Sequence, residues 1–437
     1  MKLTILNYIL ISHSGLFDSK YYLLTNPDIR HADIDPILHF IRNGWKEYRN
    51  PSPSFDLSYY LYSNPDVRQS GVNPLLHYIR YGKAEGRLPL PPKELTSPAI
   101  EKDVSGNNSF ASVRYTLAPR KKTRKLNSVS VIIPTRNAGK LFEQTLKALA
   151  GQNYAGEIEI VIIDTESEDG TPALAQKFGA KVIPIKKSMF NHGLTRNQAV
   201  ENSSGKILVF LSQDSVPGDE HFIQNITSAF ADPLVAGSYA RQLPRDNADI
   251  FTKRDLNAWL TGRTQPEVRW IADFDAYEQL SAMDKYFFCN FDDVASAMRR
   301  SVWQAIPYAM NDFGEDIEWS KDALEAGWKI AYVPDAFVIH SHNKNIRYEY
   351  SRNVLCHKKL YSLFGLCTIP TIGVALRSFM IGTKMNWAYA RENIHTSSKM
   401  LDTFLKIPGL SFAGVWGQYQ GARIAKKTVR SDRKSQE

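Results

Sequence analysis

The sequence predicts an α/β protein: a mostly parallel sheet flanked by helices, preceded by a small α-helical repeat domain and followed by a helical C-terminal extension. Three observations predict it. Short apolar runs alternate with helix-patterned segments between Ser128 and Leu211. An N-terminal segment recurs after 38 residues. The end of the chain is apolar from Leu360 to Met385 and then strongly basic. The boundaries implied are a tandem-repeat module over 1–90 (units 17–54 and 55–89), a linker over 91–127, an α/β domain over 128–345 and an extension over 346–437.

The first strand is the apolar run Val129–Ile133, followed by a helix over Leu141–Ala150. A second strand covers Ile158–Ile163, and a helix over Thr171–Phe178 follows the turn Asp169-Gly170. Lys181–Ile185 is a third strand, Leu194–Glu201 a helix and Ile207–Leu211 a fourth strand. Strands that alternate with helices need crossover connections, which give a parallel sheet covered on both faces.

The repeat begins at Phe17 and again at Phe55. It pairs Tyr21 with Tyr59, Tyr22 with Tyr60, and Asn26-Pro27-Asp28 with Asn64-Pro65-Asp66. It also pairs Pro36 with Pro74, His39 with His77, Gly44 with Gly82 and Arg49 with Arg87. A period of this size marks stacked supersecondary units. Asn-Pro-Asp is turn chemistry. Pro36 opens a short helix that ends near Gly44. Each unit is read as two short helices, with its aromatics and His as packing residues. A carbohydrate- or partner-binding face is the alternative. From Leu90 to Asn127 Pro, Ser, Asn and Lys dominate and RKKTRK closes the segment, as in a linker.

Bulk properties bound the function. A chain of 437 residues suggests two or three domains. Hydrophobic content of 43% with 23% charged residues is that of a folded chain. The net charge of +9 suits an anionic partner, but its sign does not choose among nucleotide, nucleic acid and membrane surface. Cys289, Cys356 and Cys367 contain no CxxC, which excludes a disulfide framework and a zinc site and fits a reducing compartment. MKLTILNYILISHSG carries one Lys and an apolar stretch broken by Asn7, without a small-residue cleavage site, so it is read as an opening helix. No uninterrupted apolar run reaches ~18 residues, so no transmembrane span is expected. The apolar C-terminal helices with their basic tail could lie on an anionic bilayer or cap the fold.

In an open parallel sheet, ligands bind outside the carboxyl ends of the strands. The residues there are polar. Pro134-Thr135-Arg136-Asn137 follows the first strand, Asp164 and Thr165–Gly170 the second, and Ser212-Gln213-Asp214 the fourth. One such Asp is often only a helix N-cap; three deliveries to one edge argue for a site. Neither G-x-G-x-x-G nor G-x-x-x-x-G-K-[ST] is present, which disfavours a dinucleotide site and a P-loop. A hard divalent cation on Asp214 is the natural substitute, because it binds carboxylate and diphosphate oxygens together.

VSVIIPTRNAGKLFEQTLKALAGQNYAGEIEIVIIDTESEDGT resembles the opening of a family 2 glycosyltransferase of GT-A fold. FNHGLTRNQAVENSSGKILVFLSQDSVP, Phe190 to Pro217, resembles the rhamnosyltransferase-like branch, and GEDIEWSKDALEAGWKIAYVPDAFVIHSH resembles the family's Glu-Asp acceptor motif and metal-site histidines. The resemblance spans Ser128 to His342. It implies that Pro134, Thr135, Arg136, Asn137, Asp164 and Gln213 line a nucleotide-sugar pocket, with Asp164 on the base. It implies Asp214 as a ligand of Mg²⁺ or Mn²⁺, although Ser212 and Gln213 replace the other carboxylate of a full DxD. Asn191, His192 and Arg196 lie near the same edge, and Arg suits a bidentate phosphate contact; His192 could equally cap a helix.

The resemblance further implies inversion by direct displacement, with Asp316 of Gly314-Glu315-Asp316 as base beside Glu315. Paired carboxylates raise one pKa toward neutrality. The pair could also simply open a helix, where acids favour the positive end of the dipole. Asp292 and Asp293 are the alternative bases. His340 and His342, two apart after a strand-like stretch, share a face; one could complete a metal shell as neutral imidazole, or be structural. The implied partners are a dTDP-L-rhamnose or UDP-sugar donor and a glycan or lipid-linked acceptor, without nucleic acid. The implied location is cytoplasmic, with peripheral membrane association open. A sugar nucleotidyltransferase and an inactive sugar-nucleotide-binding module are the rival readings.

Overall fold

Residue order along the sheet explains how distant segments reach one edge. The computed structural model describes residues 2–26, 29–30, 34–46, 49–57, 60–61, 64–70, 72–90, 112–113, 127–311, 313–394 and 397–434. Most of the expected linker, with RKKTRK, and the repeat residues Pro27, Asp28 and Tyr59 lie outside these. The strands are β1 (Ser112–Val113), β2 (Val129–Thr135), β3 (Ile158–Thr165), β4 (Lys181–Ile185) and β5 (Ile207–Leu211). They continue with β6 (Val216–Pro217), β7 (Val235–Leu243), β8 (Glu267–Arg269), β9 (Ala295–Arg299) and β10 (Lys329–Ile339). They join in the order β1-β8-β10-β7-β9-β5-β2-β3-β4, with β6 beside β10.

Neighbours among β4, β3, β2 and β5 are parallel, as are β7 and β10. β9 runs antiparallel between β5 and β7 and welds the two parallel groups. The mostly parallel sheet expected from the sequence is present, and β2 and β3 each extend two residues beyond their apolar runs, to Thr135 and Thr165. Thr135 pairs with Asp164, so both strands end level.

Alternation along each strand feeds two cores. Ile132, Val161, Ile163, Leu208 and Phe210 face one layer, with Trp319. Val131, Ile133, Ile162, Val209 and Leu211 face the other, with Phe142 and Phe222. Continuous apolar runs of this kind suit strands buried on both faces.

The N-terminal units carry the same contacts at equivalent positions. The Tyr22 hydroxyl meets His39 Nδ1 at 2.9 Å and Tyr60 meets His77 Nδ1 at 3.0 Å. Asn26 Nδ2 donates to Tyr22 O at 2.7 Å and accepts Arg49 at 2.8 Å through its oxygen; Asn64 does the same with Tyr60 O at 2.8 Å and Arg87 at 3.0 Å. After Pro36–His39 and Pro74–His77 each chain widens into a π-type turn, Phe40–Gly44 and Tyr78–Gly82. The glycines sit against the Tyr hydroxyls, where a Cβ would collide. The repeated Tyr22, Tyr60 and His39 are thus core groups, as the packing reading expects.

At the other end, Asn345 caps a helix over Ile346–Phe364, which stops at Gly365 with φ 68°. Thr371 caps the next, Ile372–Asn393, and Ser397–Lys434 forms the last, with Pro408 inside it. The apolar stretch Leu360–Met385 is therefore two helices around a turn. Among the described residues no helix is long and apolar enough to cross a membrane.

Gly82→Ala should cost about 1–3 kcal/mol, because the methyl must displace the buried Tyr60 hydroxyl. Tyr60→Phe, which loses only a hydrogen bond, should cost about 1 kcal/mol. Chemical denaturation orders the two; Gly82→Ala at wild-type stability would mean the turn relaxes freely.

Candidate active site

The loops after β2 and β3 lock together. Asp164, 3% exposed, accepts Thr135 Oγ1 at 2.8 Å, Ser167 Oγ at 2.6 Å and Ser167 N at 3.0 Å. Asn137 N donates to Ser167 Oγ at 2.8 Å, and Asn137 Oδ1 accepts Glu168 N at 2.8 Å. Asn137 and Glu166 hold φ of 44° and 48°, a region costly for side chains other than glycine and kept only where the surroundings enforce it. Gln213, after β5, clamps Arg136 at both backbone atoms, accepting its N–H at 2.8 Å and donating to its carbonyl at 3.3 Å. Pro134 is the next-to-last residue of β2, beside Thr135. The polar strand ends form one rigid ledge.

Asp214, past that ledge, faces the two histidines. Asp214 Oδ1 lies 3.6 Å from His340 Nε2, and Oδ2 lies 3.7 Å from His342 Nε2. One ligand atom from each of the three residues fits within 4.8 Å. A carboxylate with two imidazoles is a donor set that suits a divalent first-row transition metal. Burial above all lowers the His340 pKa to about 4, against the pull of Asp214, so the ring is neutral at pH 7 and free to ligate. Arg245 Nη2 also reaches Asp214 Oδ2 at 3.1 Å. Nothing in the sequence singled out Arg245; it becomes visible only because β7 and β10 are parallel neighbours.

Below this group sits an acidic cluster. Glu315 and Asp316 open the helix Glu315–Glu325 after Gly314. Glu315, 5% exposed, accepts Arg196 Nη1 at 2.7 Å, and His192 lies 3.9 Å away. Arg196 Nε lies 3.4 Å from Asp293, which also accepts Ser296 Oγ at 2.6 Å and Tyr308 Oη at 2.5 Å. Burial raises the Asp293 pKa to about 6 despite Arg196. Asp316 is half-buried and accepts its neighbour Ile317 N at 2.8 Å and Asp293 N at 3.3 Å. Burial first, then Glu315, Asp293 and Asp292, hold its carboxyl well above the ordinary carboxylate range.

The structure separates the roles that adjacency in sequence left joined. Glu315 turns toward Arg196, and Asp316 toward Asp293. Arg196 was expected as a phosphate contact; it is 8% exposed and its guanidinium is held by two carboxylates instead. Asn191 caps the helix His192–Glu201 through Leu194 N at 3.1 Å, while His192 stays partly exposed against the Phe190 ring. Of the alternative bases, Asp293 is enclosed by its partners, and Asp292 accepts Gln242 Nε2 at 2.7 Å.

Comparison with known proteins follows the same half of the chain. The profile of glycosyl transferase family 2 matches residues 130–303. The O-antigen chain rhamnosyltransferase RfbN of Salmonella typhimurium is 32% identical over 228 residues, 51% of this chain and 69% of that protein. The O-antigen chain rhamnosyltransferase WbaN of Salmonella anatum is 31% identical over 229 residues, 52% and 70% of the two chains. Among solved structures, the mannosyltransferase PcManGT of Pyrobaculum calidifontis, in complex with GDP-Man and Mn²⁺, is 15% identical with a TM-score of 0.37, over 70% of this chain and 75% of that one.

Arg196→Ala leaves Glu315 and Asp293 as buried charges without their cation. It should destabilise the protein by about 3–5 kcal/mol in urea titrations. Wild-type stability with weakened nucleotide binding would instead return Arg196 to a phosphate-contact role.

Proposed function

This chain belongs to glycosyl transferase family 2, and on that footing we propose that it moves L-rhamnose from a nucleotide diphosphate donor to a hydroxyl of a cell-surface glycan under assembly. Two O-antigen rhamnosyltransferases among its relatives support the sugar and the acceptor class. The donor is dTDP-L-rhamnose, with UDP-sugars the alternative, and the transfer inverts the anomeric carbon.

The observation that carries the chemistry is Asp316. It is half-buried, it makes no ion pair among the described residues, and its proton affinity is raised by burial and three carboxylate neighbours. A general base works best with a pKa near the operating pH. Asp316 takes the proton of the acceptor hydroxyl as that oxygen attacks the anomeric carbon and the nucleotide diphosphate departs. Glu315, tied to Arg196, keeps the helix end in place. Thr135, Arg136, Asn137, Asp164 and Gln213 form the ledge that receives the nucleotide. Asp214, His340 and His342 would hold Mg²⁺ or Mn²⁺, which supplies Lewis acidity for the leaving diphosphate.

The acceptor is lipid-linked in this reading, and the enzyme works at a membrane surface. The helix Ile372–Asn393 exposes Leu376, Met380, Ile381 and Met385 with Arg377 and Lys384 among them. Contiguous exposed apolar surface marks an interaction face, and interleaved cations fit an anionic bilayer.

Asp316→Asn should abolish transfer while donor affinity, read by thermal shift with dTDP- and UDP-sugars, stays within several-fold. Asp214→Ala should weaken donor binding only when Mn²⁺ is present. Collapse of donor binding in Asp316→Asn, or unaltered Mn²⁺ dependence in Asp214→Ala, would reassign those residues.

Because Asp316 must be deprotonated to act, kcat/KM should rise with pH along an acid limb above the ordinary carboxylate value of about 4. Asp293→Asn removes one charge that raises the Asp316 pKa and should move the limb to lower pH. A limb that stays put would separate it from Asp316.

The full chain should co-sediment with vesicles containing phosphatidylglycerol but not with phosphatidylcholine alone. Arg377→Gln with Lys384→Gln should weaken that partition about 30-fold, at about 1 kcal/mol per cation. Equal sedimentation with both vesicle types, or with neither, would remove the membrane from the reading.

A further inference from the structure

Gln242, near the end of β7, touches no carboxylate of the proposed base and no ledge residue, yet it is 5% exposed and fully engaged. Its Nε2 lies 2.7 Å from Asp292 Oδ2, and its Oε1 lies 3.1 Å from His340 Nδ1. Asp292 in turn is anchored by Val294 N, which donates to its Oδ1 at 2.9 Å. His340 is held at its own backbone by Leu243 O, at 2.9 Å, one residue beyond Gln242.

Donor and acceptor rules order this chain from one end. A carboxylate only accepts, so the amide NH₂ of Gln242 must face Asp292. The amide oxygen then faces His340, and an oxygen only accepts. Nδ1 of His340 therefore carries the proton, and Nε2 carries the lone pair. That lone pair lies 3.6 Å from Asp214 Oδ1 and 3.2 Å from His342 Nε2. We propose that Asp292 and Gln242 are positioning residues that fix His340 in the Nδ1–H tautomer and aim its Nε2 at a divalent cation shared with Asp214 and His342. The inference rests on reading those three residues as a cation site. It also gives Asp292 a task other than that of a base.

Partners beyond the ligands normally set the tautomer and orientation of metal-bound imidazole, and their loss costs 10–100-fold in metal affinity. The same polarity can be built in reverse order of residue types. With Gln242→Glu and Asp292→Asn together, the asparagine amide donates to the new carboxylate, and that carboxylate still accepts His340 Nδ1–H. Gln242→Leu removes both contacts, so Asp292 and His340 Nδ1 lose the partner between them.

The test is Mn²⁺ titration of the full-length protein, with the free-ion electron paramagnetic resonance signal as readout, beside melting curves. Gln242→Leu should bind Mn²⁺ about 10–100-fold more weakly than wild type, and the Gln242→Glu, Asp292→Asn double variant should stay within a few-fold of wild type. Long-range ¹H–¹⁵N spectra of the metal-free wild type should show His340 protonated at Nδ1. If Gln242→Leu keeps wild-type Mn²⁺ affinity, or His340 carries its proton on Nε2, the relay is wrong while the cation site stands. A wild type that titrates identically to Asp214→Ala would overturn the cation site itself, and the relay with it. A double variant as weak as Gln242→Leu, despite a wild-type melting curve, would also overturn the relay.

Discussion

One buried cation organises this site. Arg196 sits between Glu315 and Asp293, and burial opposes its charge, but Glu315 and then Asp293 more than offset that cost. A guanidinium has five donors in a fixed fork, so it can hold two carboxylates from different elements at once. Here they come from the start of the helix Glu315–Glu325 and from the approach to β9. The acidic cluster therefore has its geometry set by Arg196, and Asp316 is left over. Glu315 and Asp293 share the one guanidinium, and Asp316, beside them, has its proton affinity raised by burial first and then by Glu315, Asp293 and Asp292. A helix N-terminus alone would favour its ionised form; burial and the neighbouring charges win.

Hydrogen bonds, one peptide link and a 3.6 Å contact join this cluster to the imidazoles and Asp214. Asp316 accepts Asp293 N, the next residue back is Asp292, and Asp292 leads through Gln242 to His340 and so to Asp214. The proposed base and the proposed cation site are thus built on one framework of strand ends. In a low-dielectric setting such networks are stiff when each member is satisfied. That stiffness suits a displacement in which acceptor, sugar and leaving group must be held in line. The ledge formed by the β2 and β3 loops adds a second rigid wall, and its left-handed Asn137 and Glu166 are kept there by interlocking bonds.

Parts of this were legible in the residues. The apolar runs of β2, β3 and β5 announce themselves because nearly each position is aliphatic and most are buried; β4, at the sheet edge, is shorter and partly exposed. The repeated Tyr, His, Asn, Arg and Gly stand out because both units solve one packing problem in one way. β7 and β9 were hidden. They bury Ser238 and Ser296, whose hydroxyls bond Ile226 O and Asp293, and such residues break the apolar signature of a strand. Arg196 misled for a related reason. Near a strand edge an arginine reads as a phosphate contact; in the fold Arg196 is buried and its guanidinium pairs with Glu315 and Asp293.

The amino-acid sequence by itself determined the alternation that makes a parallel sheet, the polar residues at the strand ends, the paired units at the front and the family to which the α/β half belongs. Those are local facts, carried by spacing and residue type within a few tens of positions. Tertiary structure alone decided which carboxylates Arg196 holds, that Asp316 turns toward Asp293 while its neighbour Glu315 turns toward Arg196, and that His340 Nδ1 faces Gln242. Each depends on groups brought together from positions such as 196, 242, 293, 315 and 340. Charge balance and hydrogen-bond direction are properties of contacts, and no window of sequence contains those contacts.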